Sequence, residues 1–312
     1  MPTGPFLVIA NPGSGAHDAP QTRELLTAVF AQAGRAVEFI SLENPPDLVR
    51  ASQDAAARAS SVNGVVVAVG GDGTINTVAR AALDHRCALG VIPQGTFNLF
   101  ARNYGIAQDA EAAARALVRA APRPVQVGWL NDQLFLVNAS LGLYPQLLED
   151  REAWKAKLGR YRWVALLSAL RTLFAWRGML SLEIEFGGEV ARVRTPTLFV
   201  GNNLLQLQSV GLPPEAIARV GEGRMAAIMV TASGRWPMLM LLLRGAAGRL
   251  GDAHDVDAFA FNTLQVTPRS RLRAVRAAVD GEVVRVAPPL RFAVSTEPLL
   301  LMMPRTEDQV PA

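Results

Sequence analysis

The sequence predicts an α/β plus β fold, in which a doubly wound, mostly parallel α/β domain precedes an antiparallel β domain. Apolar runs alternate with helical patterns over the first third of the chain, which is typical of a parallel sheet covered on both faces. From about Val125, short strand-like runs are separated by turn dipeptides instead. A length of 312 residues is enough for two domains of ordinary size.

The first domain is predicted to consist of seven alternating elements. Strands are predicted at Phe6–Asn11, Val37–Leu42, Gly64–Gly70 and Ala88–Pro93, and helices at Gln21–Gln32, Asp47–Arg58 and Ile75–Leu83. Ligands of such sheets bind beyond the carboxyl ends of the strands. The loops after the first, third and fourth strands are therefore the candidate binding loops.

The second domain is predicted to be built from hairpins. Their turns are Asn131-Asp132, Gly187-Gly188 and Asp280-Gly281. The apolar run Pro298–Pro304 is a candidate to return to the first domain. We therefore predict a first domain at 1–124, with 298–312 returning to it, and a second domain at 125–297.

The composition is that of a core-forming chain. Half of the residues are hydrophobic, and a net charge of +4 does not by itself separate nucleic acid, an anionic membrane and phosphate ligands as partners. Cys87, the single cysteine, excludes a disulfide framework and a thiolate metal cluster. The N-terminus does not have the pattern of a signal peptide, and no apolar run reaches the roughly 20 residues of a membrane span. We therefore predict a cytoplasmic protein.

The stretch VVVAVGGDGT, Val65–Thr74, ends a buried strand in three glycines and an aspartate. Glycine lets a ligand approach the backbone closely, and the helix that follows presents N–H groups and the positive end of its dipole, which suit a phosphate. Asp72 would approach a phosphate comfortably only through a cation, so it suggests Mg²⁺. The alternative is a tight turn in which Thr74 is the N-cap of the helix.

Two further loops, NPGSG (Asn11–Gly15) and QGTFN (Gln94–Asn98), are predicted at the same edge of the sheet. Several other enzyme classes require motif residues that this sequence does not have. A P-loop enzyme and a protein kinase each need a lysine, and this region has none. The dinucleotide pattern GxGxxG is broken in GSGAHD, and no serine occurs in GxSxG. The histidines His17, His85 and His254 are isolated, without the spacing of metal ligands.

Together, NPGSG, GGDGTIN, GTFN and a late DGE resemble the diacylglycerol kinase catalytic family, which includes bacterial lipid kinases and sphingosine and ceramide kinases. The resemblance continues through Val127–Pro145, Thr195–Asn203 and Asp280–Phe292. GGDGT alone is shared with NAD kinases and phosphofructokinases, so the combination of motifs carries the resemblance.

The resemblance implies that the first domain binds ATP, that the second is a β-sandwich for the lipid substrate, and that the active site is in the cleft. ATP would contact the three loops and the end of the second strand. These residues are Asn11, Pro12, Gly13, Ser14, Gly15, Ser41, Gly70, Gly71, Asp72, Gly73, Thr74, Ile75, Asn76, Thr77, Gly95, Thr96 and Asn98.

For catalysis, the resemblance implies that Glu282 accepts the proton, with Asp280 beside it and Asp72 at the Mg²⁺. It also implies a metal-stabilised loop before this turn, which reads ARVGEGRM here. The implied ligands of that loop are Glu222, at a position where aspartate is usual, and the main chain of Arg219 and Arg224.

Two positions depart from the family pattern. Leu99 replaces the aspartate of GTxND and Gln126 replaces the aspartate of VDVG, and both aspartates help to hold Mg²⁺ in some members. Asp72, Asp280 and Glu282 remain, which is enough for one octahedral Mg²⁺ that keeps several waters.

The sequence thus predicts an ATP- and Mg²⁺-dependent kinase of a lipid hydroxyl, with a diacylglycerol-like or sphingoid acceptor. Two alternatives stay open. A soluble-substrate kinase of the NAD kinase type would share GGDGT. A nucleotide- or lipid-binding relative with impaired turnover would fit the replacements at Leu99 and Gln126.

Helical patterns near 151–176 and 236–250 interrupt the second domain, and the first of them joins a basic segment to an apolar one. It is interpreted either as a core helix or as an interfacial helix that binds an anionic membrane surface transiently. We expect a lipid substrate, no nucleic-acid partner, a peripheral location at the inner membrane face and, as one option for assembly, a homodimer. The basic residues of the segment Trp154–Trp176 are Lys155, Lys157, Arg160 and Arg162, with Arg171 further on.

Overall fold

The structure is a computed structural model of the chain. It describes residues 2–10, 19–40, 47–143, 179–209, 211–212, 214–231, 255–269 and 273–311, with the single residues 237, 240 and 244. The chain divides into two compact units, Met1–Val127 with Thr296–Ala312, and Gly128–Ser295.

The first unit contains a six-stranded sheet in the order β2-β1-β3-β4-β18-β5. β1 is parallel to β2 and β3, β4 is parallel to β3 and β18, and β18 is antiparallel to β5. The central strands β3 and β4 are buried along their whole length, because both faces of the sheet are covered. The strands are β1 (Phe6–Ala10), β2 (Val37–Ile40), β3 (Val65–Gly70), β4 (Ala88–Pro93), β5 (Ala121–Val125) and β18 (Leu299–Met303).

Five helices of the first unit are described. They are α1 (Ala19–Gln32), α2 (Asp47–Ser61), α3 (Asp72–Asp84), α4 (Leu99–Asn103) and α5 (Ala110–Arg119). Helix α3 buries Ile75, Val78 and Ala82, which share one face at helical spacing. Helix α5 begins where the carboxylate of Asp109 accepts a hydrogen bond of 2.9 Å from the N–H of Ala112, which is an ordinary N-cap.

The seven elements predicted in the first domain are confirmed. Helix α3 differs at its start: it begins at Asp72 rather than Ile75, with Gly71 as the N-cap. The alternative in which Thr74 is the N-cap is therefore wrong, since Thr74 lies inside the first turn and is buried. The sequence does not predict α4, α5 or β5. Strand β5 reads APRPV, and its prolines are tolerated because it lies at the edge of the sheet.

The second unit contains two antiparallel sheets of six strands. The first has the order β10-β9-β14-β17-β6-β7, and the second has the order β13-β12-β11-β8-β15-β16. The strands are β6 (Gly128–Leu130), β7 (Gln133–Phe135), β8 (Asn138–Gly142), β9 (Leu180–Phe186), β10 (Glu189–Thr195), β11 (Thr197–Gly201), β12 (Met225–Val230), β13 (Val256–Phe261), β14 (Thr263–Pro268), β15 (Val275–Val279), β16 (Glu282–Val286) and β17 (Leu290–Val294).

The core of the second unit is made by the facing sides of the two sheets. Phe135 and Phe292 from one sheet join Leu141, Val200 and Met225 from the other in one buried cluster. Alternate residues of each strand enter this core, as period-2 patterning requires. The fold class predicted from the sequence, an α/β domain followed by a β-sandwich, is confirmed.

The three predicted hairpins are confirmed as β6–β7, β9–β10 and β15–β16. Asn131, Gly187, Gly188, Asp280 and Gly281 all have positive φ, from 46° to 88°. Two-residue hairpin turns need this backbone region, which favours asparagine, aspartate and glycine.

Two short helices, α6 (Leu204–Ser209) and α7 (Pro214–Ile217), pack on the other side of the second sheet. Leu207 and Ile217 contact Ala226 and Ile228 there. The helical pattern near 151–176 and nearly all of that near 236–250 lie outside the described residues. Within the described part of the chain, no helix is long and apolar enough to cross a bilayer.

Candidate active site

In the first unit, the loops after β3 and β4 are held backbone against backbone. The N–H of Gln94 donates to the carbonyl of Gly70 at 2.8 Å. A Cβ at Gly95 would lie 2.8 Å from Cα of Gly71, and a Cβ at Gly71 would lie 3.4 Å from Cα of Gly95. Glycine is needed at position 95 because a side chain there would push the two loops apart.

Helix α3 starts at this contact. Its N-cap, Gly71, has extended backbone and no capping side chain, and its carbonyl accepts the N–H of Ile75 at 3.0 Å. The hydroxyl of Thr77 donates to the carbonyl of Gly73 at 3.0 Å. A 13-residue helix whose first turn has no side-chain cap presents backbone N–H groups and the positive end of its dipole, which suit an anion.

Asp72 is the first residue of α3, and its carboxyl group faces the start of α4. Burial raises the pKa of Asp72, while the backbone N–H groups of Phe100, Asn98 and Leu99 lower it. Its Oδ1 is buried and has no hydrogen-bond partner among the described residues. A carboxylate oxygen of this kind fits Mg²⁺, which binds oxygen ligands.

Asn98, the N-cap of α4, has φ 48° and ψ 44°. Its Nδ2 donates to the carbonyl of Gly95 and to Oε1 of Gln108, each at 2.9 Å. Its Oδ1 is buried and, in the part of the chain that the structure describes, has no partner. Thr96 and Phe97 precede it and are exposed, and Phe97 exposes 52% of its surface.

The structure therefore brings together the predicted residues of the GGDG and GTFN loops. It buries Thr74 and Ile75, so the side chain of Ile75 belongs to the core. Leu99, the first residue of α4, and Gln126, which follows β5, are both half-buried. Asn11–Gly15 and Ser41 lie outside the described residues.

In the second unit, Asp280 is held by three backbone N–H groups. Its Oδ2 accepts from Leu136 at 2.7 Å, and its Oδ1 accepts from Val137 at 2.9 Å and Asn138 at 3.0 Å. The N–H of Asp280 in turn donates to the carbonyl of Asn138 at 2.9 Å. The carboxylate of Asp280 thus fixes the β15–β16 turn to the start of β8.

Glu282 is the first residue of β16 and lies directly after that turn. It pairs across the hairpin with Val279, and it is exposed at the end of the sheet. Its position depends on Gly281, whose φ is 88°. Glu282 is therefore a solvent-accessible carboxyl on a rigid hairpin, while Asp280 provides the anchor.

An amide cluster beside Asp280 was not predicted. Nδ2 of Asn138 donates to Oε1 of Gln206 at 3.0 Å, and Nδ2 of Asn202 donates to the carbonyl of Leu136 at 3.0 Å. Oδ1 of Asn138 and Oγ of Ser140 are buried without partners in the described residues. The signal in the sequence is the presence of asparagines at the ends of apolar strands, in NAS at the start of β8 and in GNN directly after β11.

The predicted metal loop before β12 closes on itself. The carbonyl of Arg219 accepts the N–H of Glu222, and the carbonyl of Arg224 accepts the N–H of Gly221, each at 3.1 Å. Glu222 is exposed, and no group of three or more His, Cys, Asp or Glu side chains that could hold a metal occurs among the described residues. A metal role for Glu222, Arg219 and Arg224 stays a prediction.

A cavity of about 440 Å³ lies at the opposite end of β15 from Asp280. It is mostly apolar, with Arg269 and Ser181 as polar members. Its other lining residues are Leu141, Met179, Leu180, Leu182, Pro268 and Val275.

These features define a class of protein in which an α/β unit carries contacting glycine loops at the start of a helix and a β-sandwich carries an acidic hairpin. Residues 5–130 match the family model described as the diacylglycerol kinase catalytic domain. A protein of Pseudomonas aeruginosa named "Probable lipid kinase YegS-like" is 31% identical over 220 residues, which are 64% of this chain and 71% of that protein. The chain belongs to the diacylglycerol kinase catalytic domain family.

Other relatives are matched over a smaller share. "Diacylglycerol kinase" of Bacillus subtilis (strain 168) is 34% identical over 187 residues, which are 59% of this chain and 60% of that protein. A "Probable lipid kinase YegS-like" of Klebsiella pneumoniae (strain 342) is 32% identical over 51% of this chain and 53% of that protein. The chain thus spans between half and two thirds of the length of these two relatives.

Solved structures support the fold. A structure titled as a diacylglycerol kinase from Bacillus anthracis str. Sterne has a TM-score of 0.69 at 18% identity, with 96% of both chains covered. Another structure from that organism has a TM-score of 0.73 at 19% identity, again over 96% of both chains.

Proposed function

We propose that the chain is an ATP- and Mg²⁺-dependent lipid kinase, which transfers the γ-phosphoryl group of ATP to a hydroxyl of a diacylglycerol-like or sphingoid lipid. The observation that carries the proposal is the contact of Gly71 and Gly95 at the N-terminus of α3, beside Oδ1 of Asp72, which has no partner in the part of the chain that the structure describes. Family membership and the names of the relatives support a lipid as the acceptor.

The first unit binds ATP in this proposal. The glycines at Gly70, Gly71, Gly73 and Gly95 let the phosphates approach the backbone, and the first turn of α3 donates N–H groups to them. Bound Mg²⁺ supplies charge neutralisation at the phosphate oxygens, with Asp72 holding it through Oδ1. The remaining nucleotide contacts are assigned to Thr74, Asn76, Thr77, Thr96, Asn98, Ser41 and the loop Asn11–Gly15.

The second unit supplies the base. Glu282 accepts the proton of the acceptor hydroxyl on a carboxylate oxygen, as that oxygen attacks the phosphorus. Asp280 acts as a positioning residue, since its carboxylate is engaged by the backbone of Leu136, Val137 and Asn138. The exposure of Glu282 beside a fixed turn fits this division of roles.

The cavity at Leu141, Leu182 and Val275 supports a lipid acceptor. Its walls are mostly apolar side chains, which suit part of an acyl chain better than the polar groups of a soluble nucleotide. Arg269 at the same cavity offers a charge to a polar lipid group. We assign the membrane contact to Trp154–Trp176, which lies outside the described residues, and place the enzyme in the cytoplasm at an anionic membrane surface.

The test is to incubate the protein with labelled ATP, Mg²⁺ and a total lipid extract, and to identify the products by mass. We expect a phosphorylated lipid whose formation requires both ATP and Mg²⁺. Parallel reactions contain NAD or no acceptor. Phosphorylation of NAD alone, or ATP binding without turnover in any reaction, would contradict the proposal and favour one of the two alternatives.

A further inference from the structure

Two acceptor oxygens in neighbouring loops of the first unit receive no hydrogen bond from the described residues. Oδ1 of Asp72 and Oδ1 of Asn98 are both buried, and neither has a partner among the described residues. The loops that carry them touch: the position of a Cβ at Gly95 is 2.7 Å from Oδ1 of Asn98 and 2.8 Å from Cα of Gly71, the residue before Asp72.

The orientation of the Asn98 amide is fixed by a chain of hydrogen bonds. Nε2 of Gln108 donates to the carbonyl of Ile106 at 2.8 Å, so Oε1 of Gln108 is the acceptor for Nδ2 of Asn98. Nδ2 of Asn98 also donates to the carbonyl of Gly95. Turning the amide over would place its oxygen against that carbonyl, so Oδ1 must face away from it.

Buried acceptors without donors are unfavourable, and two such oxygens lie in loops that contact each other. A cation removes both penalties, because carboxylate and amide oxygens are the ligands that Mg²⁺ and similar ions use. The side chain of Leu99 has no ligand atom, whereas the adjacent Asn98 has one that is already oriented.

We propose that Asp72 and Asn98 bind the same divalent cation, with Oδ1 of Asn98 as a neutral ligand in a chain that has leucine at position 99. This inference rests on the proposed function in one respect, that the cation is the one used with ATP. Its waters and the phosphates of ATP complete the octahedral shell.

The probe is Mn²⁺, whose binding to the purified full-length chain is measured from the electron paramagnetic resonance signal of the free ion, without nucleotide and with ADP. We expect Asn98→Ala to weaken Mn²⁺ binding about tenfold or more, and Asp72→Asn to weaken it at least as much. Asn98→Asp keeps a ligand oxygen, so it should bind Mn²⁺ more tightly than Asn98→Ala does, although its second oxygen would face the carbonyl of Gly95.

Gln108→Ala is the matched control. It removes the hydrogen bond that orients Asn98 but leaves Oδ1 in place, so its effect on Mn²⁺ affinity should be much smaller than that of Asn98→Ala. Thermal unfolding without metal checks that each variant is folded, and the rise in Tm on adding Mn²⁺ gives a second readout. If Asn98→Ala does not fold, Asn98→Gly, which tolerates the positive φ of this position, carries the test.

An Asn98→Ala variant that binds Mn²⁺ as tightly as the wild type would overturn the inference. Equal losses of Mn²⁺ affinity in Asn98→Ala and Gln108→Ala would also overturn it, since the conformation of the loop and not the oxygen of Asn98 would then determine binding. Weaker Mn²⁺ binding by Asn98→Asp than by Asn98→Ala would overturn it too. The lipid assay distinguishes this inference from the proposed function. If no lipid is phosphorylated but Mn²⁺ binding depends on Asn98, only the proposed function is wrong. If lipid is phosphorylated but Asn98→Ala binds Mn²⁺ like the wild type, only this inference is wrong.

Discussion

Asp280 and Glu282 are two residues apart, yet the structure gives their carboxyl groups different surroundings. The oxygens of Asp280 accept three backbone N–H groups at 2.7–3.0 Å, whereas Glu282 is exposed. A hydrogen bond to a charged group is worth about 1.5–3 kcal/mol, so Asp280 contributes mainly to the stability and shape of the turn. Glu282 has little such role and is available for chemistry.

This difference leads to opposite results for two conservative substitutions. Asp280→Asn should lower the free energy of unfolding by about 1–3 kcal/mol, because an amide nitrogen would face backbone donors. Glu282→Gln should leave stability unchanged and lower kcat by about 10²- to 10⁴-fold, the usual contribution of a general base. Urea unfolding and lipid-kinase kinetics on both variants test this. A Glu282→Gln variant with more than about half of the wild-type kcat would show that Glu282 is only a turn residue.

The sequence identifies these residues better than it identifies their contacts. GGDG and DGE are recognisable in combination with the other family motifs, since Asp-Gly alone is also a favoured turn dipeptide. The engagement of Asp280 with Val137 could not be predicted, since the two residues are 143 positions apart and meet only when β8 pairs with β15. The N-cap assignment of Thr74 failed for a related reason: the contact of Gly71 with Gly95 sets where α3 begins.

At the scale of elements, the loops after β3 and β4 contact each other through two glycines, which differ in the space that each has for a side chain. A Cβ at Gly95 would lie 2.7 Å from Oδ1 of Asn98 and 2.8 Å from Cα of Gly71, but a Cβ at Gly71 would lie at an ordinary 3.4 Å from Cα of Gly95. Gly95→Ala should therefore destabilise the chain by about 1–3 kcal/mol, which is typical of overpacking.

Gly71→Ala is the matched variant for that prediction. It should keep the wild-type Tm but weaken ADP binding, because its methyl group would occupy the space where a phosphate approaches the backbone. Thermal unfolding and calorimetric titration with ADP separate the two effects. Equal losses of stability in both variants would contradict the geometry of this contact.

An ion pair joins the C-terminal segment after β18 to the end of α5. Both carboxylate oxygens of Asp308, in a short 3₁₀ helix, accept hydrogen bonds from the guanidinium of Arg119 at the end of α5. That contact holds the pKa of Asp308 below its usual value of 3.8. A lowered pKa means that the native state releases this proton more readily than the unfolded state does, so the stabilisation is present above pH 3.8 and is lost as the pH falls through the lower native value.

Asp308→Asn should accordingly reduce stability at pH 7 by less than about 1 kcal/mol, because the pair is partly exposed. The difference from the wild type should shrink only below pH 3.8, where the wild-type carboxylate becomes protonated. Urea unfolding at a series of pH values measures this difference. A gap between the two proteins that stays constant to the lowest pH at which both fold would rule out the ion pair as its source.

At the scale of the whole molecule, the fold class follows from patterns that are local in sequence. Buried runs alternating with helices predict the parallel sheet, and Asn-Asp, Gly-Gly and Asp-Gly turns predict the hairpins. The sequence does not predict β5, because APRPV has two prolines and becomes a strand only by pairing with the distant β18. It also does not show that β13 and β14, which are separated only by Asn262, belong to different sheets.

The pairing of β5 with β18 leads to a prediction about the independence of the first unit. Val125 lies opposite Leu299 in this antiparallel pair, so the chain leaves the first unit at Val127 and re-enters it at Thr296 from neighbouring points. Residues 1–127 joined to 296–312 by a Gly-Asn linker should therefore close a short hairpin loop, fold cooperatively and bind ADP. Residues 1–127 alone should not, because β18 lies between β4 and β5 and its removal leaves both without a partner on that side. Urea unfolding followed by circular dichroism, together with the shift of Tm by ADP, compares the two proteins. If residues 1–127 alone unfold as cooperatively and bind ADP as tightly as the joined protein, the first unit does not need β18.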